Sequence, residues 1–265
     1  MDLFEIKDCY KTNDLASLVE RLCDPETGCP WDREQTHQSI RQNFIEETYE
    51  AVEAIDRDDS EMLKEELGDV LLQVVLHAEI ARRNGEFTID DVADRICKKL
   101  VLRHPHLFGS IAADSSDVVL KNWEDIKRGE KHQKSGSDAI DDVPKALPAL
   151  MRSQKVQKRA AYVGFDYPNI NMAADDLASE VEELKSALIG DGDVFEEIGD
   201  LIFAAVNVAR FQKIDAELAV EKACEKFANR FRLVEQMAEA TGLDLKTADI
   251  GDMNKLWSKA KEALI

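Results

Sequence analysis

The sequence predicts an all-α chain made of two tandem helical bundles, and three observations carry that expectation. The composition is poor in Gly (12) and Pro (6), the two residues that interrupt helices most. No segment shows the sustained apolar–polar alternation of a half-buried strand. Finally, two acidic signatures are each written twice, in the same order, which divides the 265 residues into two similar units.

Periodicity places the elements. Helices are expected near 12–22, 37–56, 60–84, 88–103 and 116–131, and again near 145–161, 172–189, 193–212, 215–241 and 252–263. Leu63, Leu67, Val70, Leu71, Val74, Val75 and Ala78 recur at three- and four-residue steps, as a buried helical stripe requires. Ile198, Leu201, Ile202, Ala205, Val208 and Ala209 do the same. Arg57 to Ser60 and Gly190 to Asp193 are short polar breaks, and breaks this short join antiparallel neighbours. His132 to Asp138 has linker composition, so the expected division is 1–131, a linker at 132–143, and 144–265. Gly68 and Gly199 each sit inside a helical stretch, at a cost of roughly 1 kcal/mol relative to alanine. Close approach of a neighbouring helix is the expected reason, and room for a bulky ligand the alternative.

Bulk properties exclude several classes. The longest apolar stretches, Val70 to Leu76 and Leu201 to Val206, fall far short of the roughly 20 residues a membrane span needs. The acidic start of the chain has no basic region followed by an apolar run, so no secretory signal is expected. Cys9, Cys23, Cys29, Cys97 and Cys224 are an odd, scattered set that fits reduced thiols in a cytoplasmic protein. Cys97 and Cys224, at matching positions in the two copies, read as small core residues. A net charge of −20 opposes binding to nucleic-acid polymers, but bound cations can still recruit a small anion.

The repeated residues carry the chemistry. The first copy reads Glu-Glu-Thr-Tyr-Glu at Glu46 to Glu50 and Glu-Glu-Leu-Gly-Asp at Glu65 to Asp69. The second reads Ser-Glu-Val-Glu-Glu at Ser179 to Glu183 and Glu-Glu-Ile-Gly-Asp at Glu196 to Asp200. Glu47 and Glu50 are three apart and share a helix face, as do Glu66 and Asp69 on the next helix. Across an antiparallel turn the four can meet, and Glu180, Glu183, Glu197 and Asp200 form the equivalent set. Two carboxylates about 5 Å apart repel by roughly 3 kcal/mol at an effective dielectric near 20. Such a cluster must splay into water, take up protons or bind a cation. All-oxygen donors select a hard ion, Mg²⁺ or Mn²⁺, with Mg²⁺ favoured by availability.

Cations and indoles repeat as well. Lys99 and Arg103 are matched by Lys226 and Arg230, and Trp123 and Lys127 by Trp257 and Lys261. A Lys point charge one helical turn from an Arg fork suits phosphate oxygens. The indole offers a platform for a base or seals a core. Metal-binding acids, phosphate-binding cations and an aromatic together describe a nucleoside polyphosphate held through Mg²⁺.

These residues resemble the MazG family of all-α nucleoside triphosphate pyrophosphohydrolases, whose signature is Glu-Glu-x-x-Glu followed after a turn by Glu-x-x-Asp. The resemblance extends to Asp24 to Asp32, Arg103 to Phe108, Leu147 to Arg152 and Val163 to Asp166. It implies a two-repeat, homodimeric, cytoplasmic enzyme that splits NTPs and dNTPs into a nucleoside monophosphate and pyrophosphate. It also implies Mg²⁺ on Glu180, Glu183, Glu197 and Asp200, with Lys226, Arg230, Trp257 and Lys261 on the nucleotide. The C-terminal copy is the expected catalytic one, although Glu47, Glu50, Glu66 and Asp69 are all intact. The first acidic position of the motif is Ser179 in that copy, against Glu46 in the other.

Two other metal chemistries lack their residues. A carboxylate-bridged di-iron bundle needs paired Glu-x-x-His motifs, and Glu34 with His37 has no counterpart in the second unit. The His-Asp dipeptide of another phosphohydrolase class does not occur. The non-enzymatic alternative is an acidic helical scaffold for a basic partner, which predicts charge spread around each helix.

Overall fold

A computed structural model describes residues 4–109, 115–131, 133 and 135–264. Among these residues every regular element is helical. The chain divides into two compact units between Lys127 and Arg128.

In the N-terminal unit, α1 (Thr12–Leu22) leads through a 3₁₀ turn to α2 (Arg41–Asp56), α3 (Ser60–Arg83), α4 (Ile89–Arg103), the single turn α5 (Pro105–Phe108) and α6 (Ser116–Glu130). The hairpin of α2 and α3 is the main helix pair, and α1 and α4 lean on α3. The turn is tight because Asp58 adopts φ +53° and Asp59 caps α3, accepting from the backbone N–H of Glu61 and Met62 at 3.1 Å each. The core gathers Val19 and Cys23 from the α1 end with Ile40, Val75, Leu76 and Ile80. Burial pushes the Cys23 thiol up to about 11, so it stays protonated and inert at neutral pH.

The C-terminal unit follows the same plan. It contains α7 (Gly136–Asp141), α8 (Ala149–Tyr162), α9 (Ile170–Leu188), α10 (Val194–Phe211), α11 (Ala216–Thr241) and α12 (Ile250–Ala263). The α9–α10 hairpin turns through Gly190 and Gly192, at φ +100° and +137°. Asp193 caps α10 by accepting from the Phe195 N–H at 2.9 Å. Helix α8 packs on α10, while α11 and α12 form a second pair around Val234, Ala238, Leu256 and Ala260.

Three expectations need correction. The expected linker at 132–143 includes a helix: Ser135 and Asp138 form a reciprocal capping box that starts α7, and α7 packs on α8. Its Gly136 serves close packing, since an added Cβ would lie 2.9 Å from Val163 Cγ2. His132 and Lys134, also assigned to that linker, lie outside the described residues. Cys97 and Cys224 are exposed, because the faces of α4 and α11 that carry them are left uncovered within the chain. Gly68 and Gly199 are not sites of close approach either: a Cβ at either position would meet nothing within 4 Å. The remaining thiols, Cys9, Cys23 and Cys29, are likewise unbridged. Among the described residues no helix is long and apolar enough to cross a membrane.

The caps set the start of α3 and α10 and hence the position of their acids. Asp59→Ala and Asp193→Ala should each lower unfolding free energy by about 1 kcal/mol in urea denaturation.

Candidate active site

The two hairpins do bring their acids together. One carboxyl oxygen each from Glu47, Glu66 and Asp69 lie within 4.8 Å of one another, and the same is true of Glu180, Glu183 and Glu197. Helical spacing explains it: the acids of each helix occupy successive turns of the face turned toward the partner helix. Glu50 and Asp200 complete the sets electrostatically. Burial raises the Glu66 pKa, with Glu50 the strongest charged contributor, and Asp200 helps to raise both Glu180 and Glu197.

Neighbouring carboxylates add to the effect of burial on each of these groups. Burial pushes the Glu47 carboxyl up, and Asp69, Glu50 and Glu46 push it further. For Glu180, burial is followed by Glu183, Asp200, Asp176 and Glu197. Burial is also the largest effect on Glu197, ahead of Glu183. Glu197 sits in the first turn of α10, where the positive helix terminus favours its charged form. Carboxylate oxygens held this close, without thiol or imidazole among them, fit a hard divalent cation such as Mg²⁺. Ser179 and Glu46 stand outside both clusters: Ser179 Oγ donates to the Asp176 carbonyl at 2.8 Å, and Glu46 is exposed.

The cationic and aromatic residues form groups of their own. The Arg230 guanidinium lies 5.9 Å from the Trp257 ring centroid, and Phe227 packs on the same indole at 5.1 Å. Lys226 and Lys261 are exposed. These four residues occupy α11 and α12, whereas the acids occupy α9 and α10; α11 touches both α8 and α10. In the N-terminal unit Arg103 is buried with its guanidinium 5.2 Å from the Trp123 centroid. There Lys127 pairs with Glu124 at 3.8 Å, and Lys99 is exposed.

Sequence reasoning missed a pocket beside the C-terminal acids. It has a volume of about 530 Å³ and is lined by residues of α7 to α10 and of the loop 164–167, reaching Glu180 and Asp200. Arg210 ties that loop to α10 by pairing with Asp166, Nη1 to Oδ2 at 3.1 Å. The Tyr167 hydroxyl bonds to Asp176, which raises its pKa. One signal was available: Asp200, Phe203, Ala204, Asn207 and Arg210 follow helical spacing along one face.

Fold and site together define an all-α class of protein with a carboxylate cluster on each helical hairpin. A family model described as the MazG nucleotide pyrophosphohydrolase domain matches residues 35–108 and 170–234, which contain both acid sets. The chain belongs to that family. It is 45% identical to the nucleoside triphosphate pyrophosphohydrolase of Escherichia coli (strain K12), over 93% of this chain and 95% of that protein. It is also 45% identical to the nucleoside triphosphate pyrophosphohydrolase/pyrophosphatase MazG of Thermotoga maritima, over 94% of each. A longer Bacillus subtilis protein, YabN, is 47% identical over 93% of this chain and 50% of its own length.

The raised pKa values set a direction for stability. Each raised carboxyl is harder to ionise folded than unfolded, so its ionisation opposes folding, and without metal these four groups weaken the fold as pH rises past the ordinary glutamate value of 4.5. Mg²⁺ should therefore raise the melting temperature near about pH 8, and the gain should vanish near about pH 4. Differential scanning fluorimetry across that range checks both limits.

Proposed function

We propose that the chain is a Mg²⁺-dependent nucleoside triphosphate pyrophosphohydrolase, cleaving NTPs and dNTPs between the α- and β-phosphates to a nucleoside monophosphate and pyrophosphate. The observation that carries this reading is the convergence of Glu180, Glu183 and Glu197, with Asp200 acting on Glu180 and Glu197, beside a pocket of about 530 Å³ that Glu180 and Asp200 line. The names of the Escherichia coli and Thermotoga maritima relatives support it.

Glu180, Glu183, Glu197 and Asp200 would hold the metal. Bound Mg²⁺ neutralises triphosphate charge and lowers the pKa of a coordinated water. Lys226, Arg230 and Lys261 would neutralise phosphate oxygens, and Trp257 keeps the Arg230 guanidinium in place through its ring face. A carboxylate of the cluster would take the proton of the attacking water. The C-terminal copy is favoured because Glu180 and Asp200 line the pocket, whereas Arg103 of the other copy is buried against Trp123. Charge gathered at one point on each hairpin also argues against a scaffold that merely spreads acid over helix surfaces.

A homodimer belongs to the same reading. The chain exposes 18691 Å², whereas two separate compact units of half its 29.8 kDa each would together expose roughly 14,000 Å². Large apolar side chains are part of that surface: Phe195 is 87% exposed, and Ile198, Ile202, Phe227 and Phe231 all exceed 40%. Phe195, Ile198 and Ile202 flank the acids on α10, and the uncovered surfaces over Gly68 and Gly199 leave room for a second copy.

Product analysis with Mg²⁺ tests the activity. Wild type and Glu66→Gln should release pyrophosphate, while Glu197→Gln should lose at least about a hundredfold in kcat. Orthophosphate as the first product, or the reverse pattern of variants, would overturn the assignment. Sedimentation should give about twice 29.8 kDa, and Phe195→Asp should shift the protein toward monomer.

A further inference from the structure

We propose that His37, Gln73 and His77 form an acid-operated switch in the N-terminal unit. His77 bonds to His37 while at most one of the two rings is positively charged, and donates to Gln73 instead once both are. The switch lies outside both acid sets and does not depend on the proposed activity.

The closed state is the one in the structure. His37 precedes α2, and His77 lies in α3. Their rings are within 5° of parallel with the Nδ1 atoms 2.8 Å apart, and Phe44 packs edge-on against His77 at 5.8 Å. At that separation one nitrogen donates and the other accepts. Two neutral rings satisfy this, and so does a pair sharing one extra proton. Two imidazolium rings cannot, because neither keeps a nitrogen lone pair and their charges repel. The turn that presents His37 has bonds of its own: the Thr36 N–H donates to Ser39 Oγ at 2.9 Å, and the Ser39 N–H to Thr36 Oγ1 at 3.2 Å.

The open state has an acceptor waiting. Gln73 is 7% exposed, and its buried Oε1 has no hydrogen-bond partner. Buried acceptors are rarely left so. Gln73 stands four residues before His77, one turn away on the same face of α3. A rotamer change of His77 gives the charged ring that acceptor and releases His37. Charge change and bistable element are thus both present. The second unit lacks the device: with the acids aligned, His37, Gln73 and His77 correspond to Ile170, Ala204 and Val208.

The direction of the response follows from the surroundings. Burial, and then the His37 ring, hold His77 below the ordinary histidine value of 6.5. The folded chain favours the neutral ring, so its contribution is whole above 6.5 and lost as pH falls below it. Among the described residues no other charge acts on His77, whether from Glu20 of α1, Arg41 or Glu47 of α2, or Asp91 of α4. Within α3, Glu79 pairs with Arg82, and Arg83 donates to the Cys23 and Arg33 carbonyls. The acid set responds with the opposite sign: Glu47 and Glu66 are raised, so acidification relieves the α2–α3 hairpin. Loosening there on acidification therefore reports the histidines.

Hydrogen exchange of the full chain, corrected for the intrinsic effect of pH, tests the switch. In the wild type, peptides within 31–40 should exchange at least about tenfold faster near about pH 5.5 than near about pH 8, while those of α11 and α12 change by less than about twofold. His37→Gln and His77→Gln should each abolish that difference. Gln73→Leu removes only the waiting acceptor, so it should leave exchange near about pH 8 unchanged and move the midpoint to lower pH. Equal wild-type exchange at both pH values, loosening spread over both units, or a difference that survives His77→Gln would overturn the switch. An unmoved midpoint in Gln73→Leu would overturn the change of partner. Histidine NMR titration of the wild type needs no variant to fold: one ring of the pair should titrate below 6.5, and two rings titrating together at 6.5 or above would refute the coupling.

Discussion

Like charges forced together by helix geometry are the constraint on which this protein turns. Each hairpin aims carboxylates from two antiparallel helices at one point, and burial and mutual repulsion alike raise Glu47, Glu66, Glu180 and Glu197. A fold selected for stability alone would spread these acids into water, where their charge costs little. Their persistence in two copies makes sense when a divalent cation and its anionic ligand complete the site. The tight turns serve the same end. Asp58 in the left-handed region, the caps Asp59 and Asp193, and the glycines between α9 and α10 hold the opposing acids in register.

The two units keep the same acids but surround them differently. In the C-terminal unit a loop tied down by the Asp166–Arg210 pair closes one side of an apolar pocket that ends at the acids. In the N-terminal unit, His37 and His77 stack at 5.1 Å with their Nδ1 atoms 2.8 Å apart, and Phe44 packs edge-on against His77. Phe44 of α2 and His77 of α3, about two turns beyond Asp69, are thus committed to each other and to His37, which precedes α2. Duplication preserved the acid clusters, and divergence of the flanking residues gave the copies different surroundings.

Much of this was legible in the residues. The helices and the antiparallel hairpins followed from apolar periodicity and short polar breaks, because both are local properties of the chain. The acid sets followed from i,i+3 spacing and repetition. Less legible were features that depend on what lies opposite. Ser135 to Asp138 has the composition of a linker, yet the same residues make a capping box, and α7 forms because it has α8 to pack on. Cys97 and Cys224 read as core residues by their matching positions, but both are exposed.

The sequence by itself determined the helical class, the duplication and the identity of the carboxylates, since each is written in spacing along a single helix or across one turn. Tertiary structure decided the rest: that three acids of each set meet within 4.8 Å, that Gly68 and Gly199 face open space, and that Gln157 and Asn207 line a pocket at the acids. Those properties belong to pairs of surfaces far apart in the chain. No local pattern encodes them, because packing between helices, and not the order of residues within one, fixes which groups come into contact.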